Sequence, residues 1–184
     1  MGFIDRRYKQ HFEGYETQQY TDENGLTRFK MVYTREYFIP MISNGAFIFR
    51  KILFCLLFAV SMVILILEGL QLSAMNSTVY IAAGQAACLI AALVVVAYLS
   101  LFVSAKKRME IRYYRGVHKH LVKAALVEFL LFLATFICSC VFLGLTPEEA
   151  NLQSVLCAAG YIAAAACNFV IWFVEKRTFY ETEF

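Results

Sequence analysis

Four long stretches of apolar residues divide an otherwise polar chain, at about residues 52–72, 79–104, 124–145 and 152–174. Each is about 20 residues or longer, which at about 1.5 Å per residue lets a helix cross the ~30 Å hydrocarbon core of a bilayer. In lipid, backbone N–H and C=O groups must form their hydrogen bonds within the protein, so these stretches are predicted to be helices. The short alternating strands of a membrane β-barrel do not fit such runs. The pattern predicts an all-α membrane protein with a four-transmembrane-helix bundle.

The predicted spans separate three regions of the chain. Residues 1–45 form a polar, tyrosine-rich segment, residues 46–174 hold the transmembrane domain, and residues 175–184 form a short tail. A cleavable signal peptide has its apolar stretch near the N-terminus, so the first span is predicted to be a retained anchor. The N-myristoylation pattern needs Ser or Thr at position six. This chain has Arg6 there, so it does not match the pattern.

An Asn-Gly pair in the N-terminal segment is typical of a β-hairpin. Residues 15–21 are rich in strand-forming residues, residues 22–25 (Asp-Glu-Asn-Gly) favour a tight turn, and residues 26–38 carry a second strand-like run. We predict a β-hairpin here, which needs support from the membrane surface, the bundle or a partner because an isolated hairpin is marginally stable. The alternative is a disordered leader. The middle loop, residues 106–120, is predicted to extend the second and third spans as helix.

Composition agrees with a membrane protein, since 60% of the residues are hydrophobic and only 17% are charged. A typical soluble domain has about a quarter of its residues charged. The mean hydropathy is +0.60. These values exclude an ordinary soluble domain.

The Lys and Arg residues predict the orientation in the membrane. Of the 17, eight precede the first span, seven lie between the second and third spans, and two follow the fourth. The two remaining loops contain none, so the positive-inside rule predicts a multi-pass protein with both termini and the middle loop in the cytoplasm. This surplus suits an anionic leaflet and is no sign of a nucleic-acid partner. We expect lipid headgroup contacts from the basic residues of the middle loop: Lys106, Lys107, Arg108, Arg112 and Arg115.

Small residues are concentrated in the second and fourth spans, whereas the first and third spans are rich in Phe. Gly84 with Cys88, and Gly160 with Ala164, form small-xxx-small patterns that let helix backbones approach closely. We favour packing within one chain over the alternative, a dimer interface.

Two ionisable residues lie inside the predicted spans, and such residues are functional candidates by default. Glu68 is near the outer end of the first span and Glu128 is near the cytoplasmic end of the third. Gln85 is predicted at the depth of Glu68, and Asn168 at the depth of Glu128. These two polar layers could belong to a proton or solute path. We favour the alternative, helix–helix hydrogen bonding or contact with the interface, because neither carboxylate is at the bilayer centre.

The sequence carries no pattern typical of an enzyme. Its six cysteines all lie within the spans without a Cys-x-x-Cys pair, and its three histidines form no recognisable metal set and are expected on the solvated surface. A phosphate-binding loop, a nucleophile elbow and paired catalytic carboxylates are also missing from the sequence. We therefore expect no catalytic residue, no metal site and no cofactor.

Two parts of the chain resemble a known group of proteins. Residues 20–25 (Tyr-Thr-Asp-Glu-Asn-Gly) and 32–38 (Val-Tyr-Thr-Arg-Glu-Tyr-Phe) resemble the leader of small multi-span membrane proteins from Gram-positive anaerobic bacteria. Residues 112–117 (Arg-Tyr-Tyr-Arg-Gly-Val) are similar to a loop in them. The resemblance implies a bacterial plasma membrane. Neither an activity nor a site residue can be inferred from it, because no activity is assigned to that family.

The expected function is a non-enzymatic accessory or scaffold subunit that binds a membrane-protein partner or forms a homo-oligomer. The predicted outer loops are too short to bind much, whereas the hairpin, basic loop and aromatic tail make a large cytoplasmic surface. The alternative is a small transporter or proton-coupled exporter that uses Glu68 and Glu128. A membrane enzyme is the third interpretation.

Overall fold

The structure is a computed structural model that describes residues 14–21, 26–71 and 73–183. Four helices dominate it, each long and apolar enough to cross a bilayer: α1 (Asn44–Leu70), α2 (Val79–Ser104), α3 (Ile111–Leu145) and α4 (Leu152–Lys176). The predicted four-helix membrane fold is therefore confirmed. A short 3₁₀ turn, Pro147–Glu149, lies between α3 and α4.

Four short strands accompany the helices: β1 (Tyr15–Thr21), β2 (Thr27–Tyr33), β3 (Tyr37–Pro40) and β4 (Tyr180–Glu183). β1 and β2 pair in antiparallel register from Tyr15 opposite Tyr33 to Thr21 opposite Thr27, which confirms the predicted hairpin. The turn predicted at residues 22–25 lies outside the described residues.

The C-terminal tail forms a strand that the sequence did not predict. β4 pairs antiparallel with β3, and Phe38 in β3 also exchanges two backbone hydrogen bonds of 2.8 and 2.9 Å with Met109 in the loop between α2 and α3. β3 before α1, β4 after α4 and this loop therefore lie at one end of the bundle. We call this the basic end, and the opposite end, with residues 73–78 and 146–151, the loop end.

α1 begins before its apolar stretch, whereas α2 ends where its apolar stretch ends. α1 begins at Asn44, where Ser43 Oγ accepts a hydrogen bond of 3.2 Å from Ala46 N and caps the helix. α2 ends at Ser104, so its predicted extension into the middle loop is wrong. Lys51 of α1 donates to the carbonyl of Val103 at 2.9 Å and to that of Ala105. These bonds satisfy carbonyl groups at the C-terminal end of α2.

α3 begins well before its apolar stretch and changes its winding on the way. It opens with a short α-helical turn, Ile111–Tyr114, continues as π-helix over Arg115–Leu121, and becomes α-helical again over Val122–Leu145. π-Helical segments are rare in proteins, and those that occur are often found at functional sites. This one turns His118 toward the end of α4.

The helices form a four-membered ring in which α4 packs against α1 and α3, and α2 packs against α3 and, less extensively, α1. Polar side chains are buried inside the ring, whereas large apolar side chains face outward. The fully or nearly buried polar residues of the spans include Ser61, Glu128, Thr135, Ser139, Ser154 and Asn168. The exposed residues include Phe49, Ile90, Leu93, Leu130 and Leu156. An apolar exterior around a partly polar interior implies contact with a lipid bilayer.

Candidate functional site

The Glu128 and Asn168 side chains form a polar layer inside the bundle. Both are completely buried, and among the described residues no donor reaches Glu128 Oε1, Glu128 Oε2 or Asn168 Oδ1. Asn168 Nδ2 donates to the carbonyl of Ala164 at 3.2 Å. The rings of Phe129 and Phe169 lie 5.4 Å apart, so the residues preceding them lie at similar depth on adjacent helices. The layer therefore presents three buried acceptor oxygens that lack donors.

Glu68 and Gln85 belong to a second polar cluster, nearer the loop end. The side chain of Asn76 connects them, because its Nδ2 donates to the Glu68 carbonyl at 2.6 Å and its Oδ1 accepts from Gln85 Nε2 at 3.2 Å. Gln85 Nε2 also lies 2.5 Å from the Tyr161 hydroxyl. Cys157 donates to Gln71 Oε1 in the same region. The Glu68 carboxyl oxygen Oε2 is buried without a hydrogen-bond partner among the described residues.

The two layers are separated by apolar packing. Leu65, Phe132, Ala164 and Ala165 are buried between them, together with the ring of Tyr161. No hydrogen bond of the described residues crosses this packing to join Glu68 with Glu128. The described residues place these side chains in two separate polar clusters and form no continuous polar path between them.

The small residues predicted to mediate helix packing face neighbouring helices of the same chain. A Cβ atom added to Gly84 would lie 2.5 Å from Thr135 Oγ1 on α3, and Cys88 Sγ is 3.9 Å from the same oxygen. A Cβ atom at Gly160 would meet the Glu68 carboxyl group, and Ala164 is fully buried. Both small-xxx-small patterns thus bring α2 close to α3 and α4 close to α1.

A third cluster, at the basic end, was missed by the sequence analysis. Glu175 is fully buried, with its Oε2 3.7 Å from Arg50 Nη1 and its Oε1 3.7 Å from His118 Nδ1. The Tyr180 hydroxyl donates to Oε1 at 2.6 Å, and Arg50 also donates to Thr178 Oγ1. We call these five residues the Glu175 cluster. It joins α1, α3, α4 and β4 through one carboxylate.

Aromatic rings close the Glu175 cluster from the side of the loop. Tyr114 stacks on His118 with centroids 5.4 Å apart and on Phe38 at 4.0 Å, and the ring of Tyr180 meets His118 edge-on at 5.2 Å. Burial, and next the neighbouring Glu175 carboxylate, raise the pKa of the Tyr180 hydroxyl. That hydroxyl therefore remains a hydrogen-bond donor at neutral pH.

The expectation that the histidines lie on the solvated surface is wrong for His118, whose side chain is only 27% exposed. The π-helical winding that turns it inward has no signature in residue propensity. A clue did exist in the sequence, because Arg50 and Glu175 stand at the same-side ends of the first and fourth spans and carry opposite charges.

The basic residues of the middle loop lie at the surface of the basic end. Lys106, Arg108, Arg112 and Arg115 are exposed, and Lys107 is half-buried. Arg108 pairs with Glu183 at 3.2 Å and lies 4.1 Å from the Tyr37 ring centroid. These positions are compatible with contact between the loop and lipid headgroups.

All six cysteines are free, and within the described ranges no group of three His, Cys, Asp or Glu side chains is placed to hold a metal ion. Comparison of the chain with protein-family models, curated proteins and solved structures found no match. Function is therefore inferred from the arrangement of the side chains.

Proposed function

We propose that this multi-pass membrane protein is a non-enzymatic accessory or scaffold subunit that binds a partner subunit through its β1–β2 hairpin. The observation that carries the proposal is the exposure of apolar side chains on this hairpin, including Phe29 at 71% and Met31 at 50%. Among the described residues, no further strand pairs with either outer edge of the two-stranded sheet. A surface of this kind is a natural site for association with another protein.

The hairpin is fixed to the bundle at its base, so it presents this surface in a defined direction. The Tyr15 hydroxyl donates to Glu110, and Ile111 N donates to the Tyr33 hydroxyl at 3.0 Å, so the hairpin is held at the start of α3. Within the hairpin, Thr34 N donates to the carbonyl of Gly14 at 2.8 Å and closes its base. Burial, and next the hydrogen bond to Glu110, raise the pKa of Tyr15 to about 12, which keeps this phenol a donor. Pre-organisation reduces the entropy that a partner must overcome on binding.

The register of the hairpin suggests what the partner contributes. Met31 lies opposite Thr17 and Phe29 opposite Gln19, on the face that also carries the anchoring pair Tyr15 and Tyr33. A partner strand added to an outer edge would gain main-chain hydrogen bonds, while its side chains cover Phe29 and Met31. A third strand would also stabilise a sheet that is marginal with two.

Purification from native membranes in mild detergent tests whether the hairpin binds a partner subunit. Wild-type protein is expected to co-purify a partner in stoichiometric amount, and Phe29→Ser combined with Met31→Ser is expected to lose most of it, because buried apolar side chains dominate such interfaces. Val79→Ser, which changes an 83% exposed residue at the loop end, is the matched control and should retain the partner. Equal recovery of the partner with all three proteins would contradict the proposal.

We further propose that the basic end faces the cytoplasm of a bacterium and that the membrane is the plasma membrane. The distribution of Lys and Arg supports this orientation, and the resemblance to Gram-positive membrane proteins supports the location. A fluorescent or enzymatic reporter at the C-terminus is expected to read as cytoplasmic, and a reporter inserted in residues 146–151 as external. The reverse pattern would overturn the orientation.

A second candidate function is a small proton-coupled transporter, which the Glu128 and Asn168 layer favours. Three buried acceptor oxygens without donors would be satisfied by a proton or a small cation. In this function Glu128 would bind and release the proton or cation inside the bundle, and Glu68 would bind and release it near the loop end.

The transporter candidate predicts that Glu128→Gln abolishes proton flux in reconstituted vesicles, because glutamine keeps the shape of the side chain and cannot exchange a proton at neutral pH. Glu68→Gln should reduce the flux, whereas Glu149→Gln, in the exposed 3₁₀ turn, should leave it unchanged. If Glu68→Gln and Glu128→Gln both behave as wild type, the transporter function is excluded.

A further inference from the structure

A groove at the basic end lies between the start of α1 and the end of α4. It has a volume of about 370 Å³ and contains two arginines, Arg50 and Arg177. A second groove of about 590 Å³ shares Phe173, Arg177 and Phe179 with the first and adds Trp172 and Lys176. We treat the two as one surface, the α1–α4 groove.

The charge of the α1–α4 groove is positive. Arg50 is balanced by buried Glu175, but Arg177 and Lys176 are exposed, and the described residues that line the groove include no Asp or Glu. The groove also lies beside the N-terminal end of α1, whose first turn contains no acidic residue. The partial positive charge at this end of α1 is offset by the partial negative charge at the C-terminal end of α4, so the positive charge of the groove comes from its basic side chains. An anionic group is the electrostatic complement.

The walls of the groove are apolar and face outward. Phe179 is 79% exposed and Met41 is 69% exposed, at the level where the transmembrane helices end. Lys176 Nζ lies 4.6 Å from the Trp172 ring centroid, and the Arg177 guanidinium carbon lies 4.3 Å from that of Phe173. Tryptophan and basic side chains together are typical of the depth of lipid headgroups. The ligand therefore carries a negative charge next to an apolar part.

We propose that the α1–α4 groove binds one anionic phospholipid, with its headgroup phosphate at Arg177 and its acyl chains along the outward faces of α1 and α4. Free phosphate would match the charges but would leave Phe179, Met41 and Phe173 uncovered, so the lipid fits more of the surface. This site is separate from the middle-loop residues and from the hairpin, and it does not depend on the proposed function.

Trp172 is the only tryptophan of the chain and lies in the groove, so its fluorescence reports directly on lipid bound there. The full-length protein is reconstituted in phosphatidylcholine vesicles that contain either brominated phosphatidylglycerol or brominated phosphatidylcholine at equal mole fraction. We expect stronger quenching by the anionic lipid at low mole fraction. Arg177→Gln should weaken this preference about fivefold, as expected for one basic residue at a membrane surface.

Lys30→Gln is the matched control, because Lys30 is an exposed basic residue of the hairpin that neither lines the groove nor belongs to the middle-loop residues expected to contact headgroups. It should keep the preference, whereas Lys176→Gln should weaken it as Arg177→Gln does, which guards against a folding defect peculiar to one variant. Equal quenching by the two lipids, or an equal loss in Lys30→Gln and Arg177→Gln, would overturn the proposal. So would loss of the preference in inorganic phosphate at matched ionic strength, which would indicate a phosphate site.

Discussion

Glu175→Ala is expected to lower the free energy of unfolding by about 3–5 kcal/mol, the cost of removing one partner of a buried ion pair. The substitution leaves Arg50 without its carboxylate and the Tyr180 hydroxyl without its acceptor, in a region closed by stacked rings. For a chain of this size about 1 kcal/mol corresponds to roughly 2–4 °C, so thermal unfolding in detergent should show a fall of about 10 °C.

Glu181→Ala is the control for Glu175→Ala, because it removes the same side chain from an exposed position in β4. Its effect should stay within about 0.5 kcal/mol. Arg50→Ala combined with Glu175→Ala should cost less than the sum of the two single substitutions, because each already breaks the shared contact. Identical melting of wild type and Glu175→Ala would show that the cluster does not hold α1, α4 and β4 together.

Gly84→Leu is expected to have the second largest effect, a destabilisation of about 1–3 kcal/mol from overpacking between α2 and α3. A Cβ atom at this position would lie 2.5 Å from Thr135 Oγ1 and 3.3 Å from Thr135 Cγ2. Thr135 cannot move aside easily, because its hydroxyl bonds to the carbonyl of Leu131 at 2.9 Å and a β-branched side chain has few rotamers in a helix. The loss should appear as a lower melting temperature in detergent.

The helix propensity that leucine gains over glycine, up to about 1 kcal/mol, works against this loss and is measured separately by Gly144→Leu. None of the described residues lies within 4 Å of a Cβ atom at Gly144 on α3, so that variant should be as stable as wild type or slightly more so. Similar melting of Gly84→Leu and Gly144→Leu would mean that α2 and α3 do not approach closely at Gly84.

The features that could be predicted from the sequence are those that depend on runs of consecutive residues. Each transmembrane helix follows from one apolar run, and the β1–β2 hairpin follows from two strand-like runs around Asn24 and Gly25. The depth of Glu68 and of Gln85 could be counted from the ends of their spans. Asn76, which connects the two in the structure, stands in a loop whose conformation the sequence does not reveal.

The features that could not be predicted depend on contacts between distant segments. β3 and β4 have four residues each, too few to show an alternating pattern, and they pair only because the bundle brings both ends of the chain together. The sequence places Glu175 at the start of the tail, residues 175–184, because the fourth apolar stretch ends at residue 174. Its burial depends on the π-helical segment of α3 and on β4, neither of which has a signal in local sequence.

Site-specific photocrosslinking in living cells tests the proposed function most directly. A photoreactive phenylalanine analogue at position 29 of the hairpin is compared with the same analogue at Leu152, which is 77% exposed at the loop end. The proposed subunit role predicts one discrete protein adduct from position 29, absent from position 152 and lost when Met31→Ser weakens the surface. Adducts to lipid alone from position 29, or the same protein adducts from both positions, would contradict a partner-binding hairpin.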